Sequence, residues 1–389
     1  MRLLVVSHTP HYVWEGEPWG WGATVRELSA LAGICDELIH VAPAAAGKPD
    51  GGMARYEAAN VRLRGVQPSG GRGFLSKAAV LAAWGEYLRV IRRELKGADA
   101  VHVRCPCNIG LLAVLVLMLV KKPERRWIKY AGNWRPEGKE PWSYRLQRWL
   151  LRKPWHRAVV TVNGEWPGDP PHVRAFLNPS FTRAELEEAR AAGRAKSLSA
   201  PVRLVFAGRV EEAKGAGRAV EVVMRLRKAG VDAELFVAGD GPLRQALERR
   251  VKEAGLEAKI RFGGWMPRKA VGRLFGGAHF CLLPSRTEGW AKVLGEAMAW
   301  GAVPVAGAVG SIPQILGRCG CGVALEPADV KGFAEAVLEY VRAPERWKRE
   351  SEAGMAAAEW FTYEAHVERV GAVFGILGHG LCRCGDEEL

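Results

Sequence analysis

The sequence predicts an α/β protein built from two doubly wound domains that face one another across a cleft. Short apolar runs typical of strands alternate with stretches of helical periodicity, which favours parallel sheets assembled from βαβ units. A chain of 389 residues is longer than one hydrophobic core usually supports, so two domains are expected. The second half of the chain repeats the strand-and-helix order of the first.

The first half begins with a strand over residues 3–7. Polar residues follow it without a small-residue cleavage site, so a signal peptide is not expected. Residues 23–33 have helical periodicity and stop at Gly33. The apolar stretch 109–120 is shorter than the roughly 20 residues that span a bilayer, which favours a buried helix in a cytoplasmic protein. Further strands are predicted at residues 37–42, 100–104, 127–130 and 158–162.

The second half has the clearer pattern. Strands are predicted at residues 202–207, 234–238, 259–262, 279–283 and 303–306, with helices at 216–229 and 243–254. We therefore expect domains over residues 1–180 and 201–344, joined by a linker over 181–200 whose charged, alanine-rich residues 183–200 suggest a helix plus linker. C-terminal helices over 345–377 are expected to pack back on the first domain. Residues 378–389 are expected to form a flexible tail.

The positive charge is concentrated in the first half. Of the net charge of +14, residues 1–180 carry +11, from 26 Lys+Arg against 15 Asp+Glu. Such a field attracts nucleic acid, phospholipid headgroups or phosphorylated substrates. Nucleic acid is not expected, because no recognised nucleic-acid motif accompanies the charge.

Three glycine-containing turns follow predicted strands in the second half. In FAGRVEEAKG (206–215), Arg209 and Lys214 can aim two cations at one phosphate, or they are two solvated loop cations. VAGDGP (237–242) brings backbone close to a ligand or simply turns sharply. In RFGGWMP (261–267), Trp265 faces a planar base or packs in the core.

The stretch LPSRTEGWAKVLGEAMAWG (282–300) carries two carboxylates at a loop-to-helix junction. Pro284 and Gly289 predict a loop, with a helix beginning near Ala291 or Lys292. A helix N-terminus favours an anion, and carboxylates accept hydrogen bonds from vicinal hydroxyls. Glu288 ahead of the helix and Glu296 within it therefore suggest a ligand with a central phosphate and sugar hydroxyls on either side, as in a nucleotide sugar.

Residues 206–326 resemble the carboxy-terminal domain of the large retaining glycosyltransferase family 4, among the glycosyl transferases group 1. The resemblance rests on four motifs: Gly208-Arg209…Lys214-Gly215, Gly239-Asp240-Gly241-Pro242, Phe262-Gly263-Gly264, and Ser285-x-x-Glu288-Gly289 followed by Glu296-Ala297-Met298. It implies the GT-B fold of two Rossmann-like domains. The implied donor is a nucleoside-diphosphate sugar, and neither a metal ion nor another cofactor is implied.

The resemblance also implies a role for each matching residue. Arg209 and Lys214 neutralise the departing diphosphate, Glu288 holds hydroxyls of the transferred sugar, and Glu296 holds the ribose. The remaining donor-binding positions are Gly208, Gly239, Gly241, Trp265, Gly289, Trp290, Ala291 and Lys292. The family usually has Pro or Gly at the place of Ala291, so the sugar-side loop is expected to differ in shape.

In the first half, PWGWGATVRELSALA (18–32) resembles the family's amino-terminal glycine loop. Gly20 and Gly22 are expected to bring backbone close to the diphosphate and the acceptor. The family often has a histidine after a mid-domain strand, but KYAGNWRP (129–136) has none, which leaves Asn133 or nearby backbone for that place. His8 and His102, near predicted strand ends, are further candidates or packed histidines.

The segment 121–157 is both basic and aromatic. It holds 12 Lys+Arg against three Glu, interleaved with tryptophans, and residues 141–153 read as an amphipathic helix. Trp142, Leu146, Trp149 and Leu150 are expected on one side of it. Such a helix suits a peripheral contact with anionic lipids at the inner face of a membrane, or it packs on its own sheet with arginines in water.

Six of the eight cysteines form three Cys-x-Cys pairs, Cys105/Cys107, Cys319/Cys321 and Cys382/Cys384. Neither the spacing nor the histidines match a zinc site, so free thiols are expected rather than a metal or redox site.

Together these features predict a metal-independent, retaining, hexosyltransferase-like enzyme. It moves a sugar from a nucleoside-diphosphate donor to a glycan or lipid-linked glycan, in cell-surface polysaccharide biosynthesis, with the first domain binding the acceptor. Two alternatives stay open: a nucleotide-sugar epimerase of the same fold, and a catalytically silent sugar-nucleotide-binding subunit.

Overall fold

The computed structural model describes residues 1–69, 74–136, 138 and 140–376, with the backbone alone over 74–81. The chain divides into two compact units, Met1–Phe176 together with the segment from Tyr363 onward, and Leu177–Thr362. The predicted tail at 378–389 and its cysteine pair Cys382/Cys384 lie outside the described residues. None of the helices in the described part has the length and apolarity needed to cross a bilayer.

The first unit is a mixed sheet covered by helices. Its described strands are β1 (Arg2–Val6), β2 (His11–Trp14), β3 (Glu17–Trp21), β4 (Glu37–Ala46), β5 (Met53–Arg55), β6 (Val61–Val66), β7 (Ala100–Cys105), β8 (Arg125–Tyr130), β9 (Val159–Val162) and β10 (Val173–Ala175). Its described helices are α1 (Gly22–Ala32), α2 (Phe74–Leu95), α3 (Asn108–Leu119), α4 (Trp142–Leu151) and, near the chain end, α13 (Tyr363–Phe374).

The parallel core of this sheet has the order β6-β4-β1-β7-β8-β9, which is the 3-2-1-4-5-6 order of a doubly wound fold. The hairpin β2–β3 extends it, because the carboxyl half of β4 pairs with β2 beyond the end of β6. The apolar residues of α2 and α3 form one core on the sheet, while those of α1 and α13 contribute to a second.

The second unit is a parallel sheet with helices around it. Its described strands are β11 (Val202–Ala207), β12 (Ala233–Ala238), β13 (Ile260–Gly264), β14 (Phe280–Leu283), β15 (Val303–Gly307) and β16 (Val323–Leu325). Its described helices are α5 (Arg183–Arg194), α6 (Ala216–Lys228), α7 (Arg244–Glu253), α8 (Arg268–Gly277), α9 (Lys292–Ala299), α10 (Ile312–Cys319), α11 (Val330–Arg342) and α12 (Pro344–Ala357). The strand order is β13-β12-β11-β14-β15-β16, again 3-2-1-4-5-6.

The unit boundaries differ from those expected from the sequence. The segment 181–200 contains the expected helix, α5, which begins with a capping box, but it belongs to the second unit rather than lying between the units. Of the C-terminal helices, α12 stays in the second unit, where buried Trp347 donates from Nε1 to the His279 carbonyl (2.9 Å). Only α13 returns to the first unit, where Phe374 packs against Trp127.

Candidate active site

The second unit has its topological switch point between β11 and β14, where the strand order reverses. In doubly wound sheets, ligands bind beyond the carboxyl ends of the strands at this point. The loop after β11 carries Lys214, and the loop after β14 carries Glu288. The two predicted site loops therefore leave neighbouring strands at the place where the fold itself favours a ligand.

The structure joins the two loops through a charged pair. Lys214 Nζ donates to Glu288 Oε1 over 2.6 Å, and Ser285 Oγ donates to the same oxygen over 2.9 Å. The side chains are only partly exposed, 29% for Lys214 and 11% for Glu288. Lys214, whose ammonium group can bind an anion, thus contacts Glu288, whose carboxylate can accept hydrogen bonds from hydroxyls.

Close backbone packing fixes this geometry. Gly215 has φ +80°, and a Cβ there would lie 2.1 Å from the Pro284 carbonyl oxygen, so a glycine is required. Arg218 from α6 donates Nε to the same carbonyl (3.0 Å), and the backbone N–H of Arg286 donates to Ala213 (2.9 Å). The two loops are therefore braced against each other by backbone contacts that do not involve Lys214 or Glu288.

Arg209 lies apart from this pair. Its side chain is 71% exposed and pairs with Glu211 (3.1 Å between Arg209 Nε and Glu211 Oε2). Gly208, just before it, follows β11 and has a φ of +158°. The Arg209 side chain therefore extends into solvent.

Helix α9 begins at Lys292 after the N-cap residue Ala291, which confirms the predicted start and places Glu288 in the preceding loop. The N-cap makes no side-chain hydrogen bond. Glu296, in the second turn, lies 3.6 Å from Arg268 Nε and lines a cavity of about 260 Å³. The structure therefore pairs Glu296 with Arg268.

The glycines after β12 serve backbone packing. A Cβ on Gly239 would lie 1.9 Å from the Gly208 carbonyl oxygen, and one on Gly241 would lie 2.5 Å from that of Val210. Gly239 N also donates to Gly264 (2.7 Å). The close approach that requires both glycines is thus of backbone to backbone, whereas the sequence suggested either an approach of backbone to a ligand or a sharp turn.

The two tryptophans among the predicted donor residues lie in different environments. Trp265 follows β13 and is 51% exposed, as expected for a residue that faces a ligand. Trp290 is buried, and its ring stacks on Phe361 with centroids 5.2 Å apart. The Trp290 side chain is therefore a core residue, and only its backbone remains available to line a donor pocket. The carbonyl of neighbouring Gly289 accepts from Ser311 Oγ (2.7 Å), which fixes that loop.

In the first unit, the expected glycine loop is a strand and a helix start. Gly20 lies within β3, where a Cβ would meet His11 Nε2 at 2.4 Å, and Gly22 is the first residue of α1. His102 is fully buried in β7 and stacks on Trp127 at 3.7 Å, so it is a packed histidine. Asn133 accepts from the Arg135 N–H (3.0 Å) in a turn, and His8 is exposed just after β1.

Sequence reasoning missed a buried hydrogen-bond chain next to β1. His11 Nδ1 lies 2.8 Å from the Thr9 carbonyl oxygen, which only accepts, so Nδ1 carries the proton and Nε2 accepts from Tyr56 OH (2.8 Å). His40 Nδ1 then donates to Tyr56 (2.6 Å), and Ser7 Oγ donates to His40 Nε2 (2.7 Å). Burial lowers the pKa of both histidines, to about 4 for His11, which keeps the chain neutral. No single sequence motif predicts this hydrogen-bond chain, because Ser7, His11, His40 and Tyr56 lie at or after different strands.

A buried charged group lies nearby in the same unit. The fully buried Glu27 on α1 accepts from Arg104 Nη1 (2.6 Å) and Lys129 Nζ (2.7 Å). Pairing with two cations compensates the cost of burying the carboxylate. Lys129 belongs to the stretch where the family often has a histidine, and its charge is paired with Glu27 in the core.

The cysteines in the described part of the chain are free thiols, and most are buried. Burial raises the pKa of Cys107 and Cys319 to about 12 and that of Cys105 and Cys321 well above its usual range, so the thiols are inert. Across residues 1–69, 74–136, 138 and 140–376, no three Cys, His, Asp or Glu side chains form a group that could hold a metal ion.

The basic, aromatic segment exposes its tryptophans. Helix α4 buries Gln147, Leu150 and Leu151, so the expected apolar side is split: Leu150 faces the core, while Trp142 is 72% exposed and Trp149 50% exposed. Trp155, in the turn after α4, is 47% exposed and meets Trp149 edge-on with ring centroids 5.6 Å apart. Two residues of the segment, Glu137 and Lys139, lie outside the described part.

Residues 193–357 match the family model described as glycosyl transferases group 1. A GDP-mannose-dependent alpha-(1-6)-phosphatidylinositol dimannoside mannosyltransferase of Mycobacterium tuberculosis is 33% identical over 192 residues, covering 48% of this chain and 46% of that protein. A 2-deoxystreptamine glucosyltransferase of Streptomyces kanamyceticus is 31% identical over 176 residues, covering 42% of this chain and 45% of that protein. The chain thus spans about half the length of the curated relatives that it matches.

Solved structures match almost the whole chain. The sucrose-phosphate synthase of Thermosynechococcus elongatus superimposes with a TM-score of 0.70 at 15% identity, over 96% of this chain and 98% of that one. Anabaena HepE, solved in complex with UDP and glucose, gives a TM-score of 0.67 at 14% identity, over 97% and 100%. At such low identity the likeness shows the fold alone, which is GT-B with two Rossmann-like units, as predicted.

Proposed function

We propose, from the match of residues 193–357 to the family model described as glycosyl transferases group 1, that the protein is a retaining glycosyltransferase of family 4. It moves a sugar from a nucleoside-diphosphate donor to a glycan or a lipid-linked glycan in cell-surface polysaccharide biosynthesis. The second unit binds the donor, and the first unit binds the acceptor.

The observation that carries the proposal is the Lys214–Glu288 pair at the switch point of the second unit. In the proposed complex, Lys214 and the solvent-exposed Arg209 contact the diphosphate, and Glu288 accepts hydrogen bonds from hydroxyls of the transferred sugar. Glu296 accepts from the ribose, while Trp265 lies at the nucleobase. The backbone of residues 289–292 lines the same pocket.

Two cations at the diphosphate supply the main catalytic effect. As the sugar–phosphate bond breaks, negative charge grows on the diphosphate, and cations in contact with it stabilise that charge more strongly than they stabilise the bound donor. The charge that a metal ion would neutralise is thus carried by the chain itself. We therefore propose that transfer proceeds without a divalent cation.

The relatives support a nucleotide-sugar donor, but they differ in the base and the sugar of that donor. One is described as GDP-mannose-dependent, another as a glucosyltransferase, and Anabaena HepE has been solved with UDP-glucose bound. The base and the hexose therefore vary among proteins that share this fold or this domain. A screen must include both uridine and guanosine donors.

The first test is a thermal-shift screen of the full chain against UDP-glucose, UDP-N-acetylglucosamine, GDP-mannose and their nucleoside diphosphates. A ligand at 100 times its Kd stabilises a folded protein by about 2.7 kcal/mol, which is readily measured. We expect one donor to stabilise the wild type and to lose this effect in Lys214→Ala. The absence of any stabilisation across the screen would overturn the proposal.

A product assay then separates the alternatives. With the selected donor and a glycan or lipid acceptor, a transferase forms a glycoside, an epimerase releases an epimerised sugar, and a silent binding subunit forms neither. Transfer should be unaffected by EDTA if the two cations suffice. A requirement for Mg²⁺ or Mn²⁺ would refute metal independence while leaving transfer intact.

We also propose that the exposed tryptophans of α4 and the following turn contact an anionic membrane surface. Trp142, Trp149 and Trp155 present aromatic rings to solvent next to a segment with nine more positive than negative side chains. Lys153 lies over the Trp149 ring, with Nζ 5.7 Å from its centroid. Aromatic rings and basic side chains together suit the boundary of an anionic bilayer, where a lipid-linked acceptor would be held.

Vesicle co-sedimentation tests this contact. The wild type should bind vesicles containing phosphatidylglycerol more strongly than pure phosphatidylcholine vesicles, and high salt should weaken binding. Trp142→Ser with Trp149→Ser should reduce binding, whereas Trp265→Ser in the second unit is the matched control for an exposed tryptophan. Equal binding by both variants would refute the proposed surface.

A further inference from the structure

An arginine on α8 links two glutamates from two other helices of the second unit. Arg268 Nη1 and Nη2 contact Glu185 Oε1 and Oε2 over 2.7 and 3.2 Å, and Arg268 Nε lies 3.6 Å from Glu296 Oε1. Glu185 belongs to α5, Arg268 to α8 and Glu296 to α9. The cluster is partly shielded from solvent, because the side chains are 28%, 35% and 23% exposed.

Glu185 is a fixed anchor for the arginine. It is the third residue of α5, and its Oε2 accepts from the backbone N–H of Thr182 (2.8 Å), while Thr182 Oγ1 accepts from the Glu185 N–H (3.2 Å). This capping box fixes the glutamate at the start of α5. Because the contact with Arg268 is bidentate, it fixes the plane of the guanidinium as well as its position.

The fixed guanidinium determines how Glu296 is presented. Its Nε edge lies 3.6 Å from Oε1 of Glu296, a distance suited to charge attraction rather than a short hydrogen bond. An ionised carboxylate has about four acceptor positions, so it can interact with an arginine and accept from ligand hydroxyls at the same time. Arg268 also separates two carboxylates that would otherwise repel each other across the cavity of about 260 Å³ that all three residues line.

We propose that Arg268 and Glu185 are positioning residues that orient the Glu296 carboxylate toward the 2′- and 3′-hydroxyls of the donor's ribose. This inference rests on the proposed function, in which Glu296 binds the ribose. It assigns the recognition of a ribonucleotide over a deoxyribonucleotide to a relay that begins at the capping box of α5. A lysine at position 268 keeps the charge but has no planar fork, so it cannot form the bidentate contact with Glu185 that fixes the direction of the group facing Glu296.

The test measures sugar discrimination rather than activity. Isothermal titration of the full chain with UDP and GDP selects the tighter ligand, which is then compared with its 2′-deoxy counterpart. A hydrogen bond between a hydroxyl and a carboxylate changes affinity by about tenfold or more. The wild type should therefore prefer the ribonucleotide by about that factor.

The two perturbing variants are Arg268→Lys and Glu185→Gln. Glutamine retains the capping box at this helix position, so Glu185→Gln removes the bidentate partner without uncapping α5. In both variants the preference for the ribonucleotide should fall to about twofold, mainly because the ribonucleotide binds more weakly. Arg273→Lys and Glu188→Gln are matched controls, because both residues are exposed and line the same cavity; they should keep the wild-type preference.

Each outcome decides one statement. If the wild type binds neither UDP nor GDP, the proposed function fails, and the inference fails with it. If the wild type prefers the ribonucleotide and both perturbing variants keep that preference, the inference alone is overturned. Equal binding of the ribonucleotide and its 2′-deoxy counterpart by the wild type would also overturn the inference. Thermal unfolding of each variant shows whether a weaker affinity reflects a loss of fold, in which case the remaining variant decides.

Discussion

Opposite charges at Lys214 and Glu288 should make their substitutions change nucleotide affinity in opposite directions. Without a ligand, Lys214 Nζ is held by the Glu288 carboxylate at 2.6 Å. A bound diphosphate must share that ammonium group with the carboxylate and is repelled by the carboxylate. Lys214→Met removes the attraction for the diphosphate, whereas Glu288→Gln removes the competitor.

The size of each effect follows from the contact. A hydrogen bond to a charged group contributes about 1.5–3 kcal/mol, and 1.4 kcal/mol changes an equilibrium constant tenfold. Lys214→Met should therefore weaken the binding of UDP or GDP about 10- to 100-fold. Glu288→Gln should leave this affinity unchanged or strengthen it by up to about tenfold, because the neutral carboxamide does not repel the phosphates. The same Glu288→Gln should abolish the additional affinity of the intact nucleotide sugar.

Isothermal titration with the nucleoside diphosphate and with the nucleotide sugar measures both effects. Lys228→Met is the matched control, because Lys228 is an exposed lysine at the end of α6, the helix that follows the Lys214 loop. If both substitutions weaken the nucleoside diphosphate equally, the pair is only a brace between two loops. A change of less than twofold in Lys214→Met would place the diphosphate elsewhere.

Three further predictions concern the stability of the two units. In urea unfolding, Gly239→Ala should destabilise the protein by more than about 3 kcal/mol, because its Cβ would overlap the Gly208 carbonyl oxygen. Gly217→Ala should stabilise it slightly, because Gly217 lies within α6 and its Cβ would make only an ordinary van der Waals contact. Equal effects of the two substitutions would contradict this packing. Burial lowers the pKa of His156 to about 4, so the unfolded state binds more protons between pH 6.5 and 4, and stability falls as the pH drops through that window. Between pH 7 and 5, His156→Gln should lose about 2 kcal/mol less unfolding free energy than the wild type. Parallel pH profiles of the two proteins would refute this. Arg126 is buried and donates to four backbone carbonyls, so Arg126→Met should cost at least about 3 kcal/mol of unfolding free energy, and a cost under 1 kcal/mol would contradict this role.

The parallel strands of the second unit were predictable because their signals are local. Four of them, β11, β12, β13 and β15, end at or next to a glycine, and β14 ends before Pro284. The strand β11 matches the predicted residues 202–207 completely, whereas β16 was not predicted. The start of α9 was also predicted, because Pro284 and Gly289 exclude a helix earlier in the stretch. Such signals require no knowledge of which segments meet in space.

The hairpin of the first unit was missed for a physical reason. Residues 18–22 suggest a glycine loop, yet Gly20 pairs with His11 in an antiparallel ladder. The signal that marks this hairpin is the two-residue turn Glu15–Gly16, both with positive φ, between strands rich in aromatic residues. Tryptophan and glycine alternate there in place of a regular apolar pattern, which hides the strands.

The site was predictable in its residues but not in its contacts. Lys214 and Glu288 were both named from motifs, while their direct pairing depends on two loops that are 74 residues apart in sequence. The Trp290 ring was expected near the donor but packs on Phe361, a residue at the far end of the second unit. Arg268 was not named at all, because its partner Glu185 is 83 residues away and reads from sequence only as a capping residue.

The central claim is that the Lys214–Glu288 site transfers a sugar from a nucleoside diphosphate with retention of configuration. The most direct measurement is the NMR one-bond carbon–hydrogen coupling at the anomeric carbon of the product, formed from a donor labelled with ¹³C at that carbon. We expect a labelled glycoside with the anomeric configuration of the donor from the wild type and none from Glu288→Gln. An inverted glycoside, a free epimerised sugar, or undiminished transfer by Glu288→Gln would contradict the proposed function.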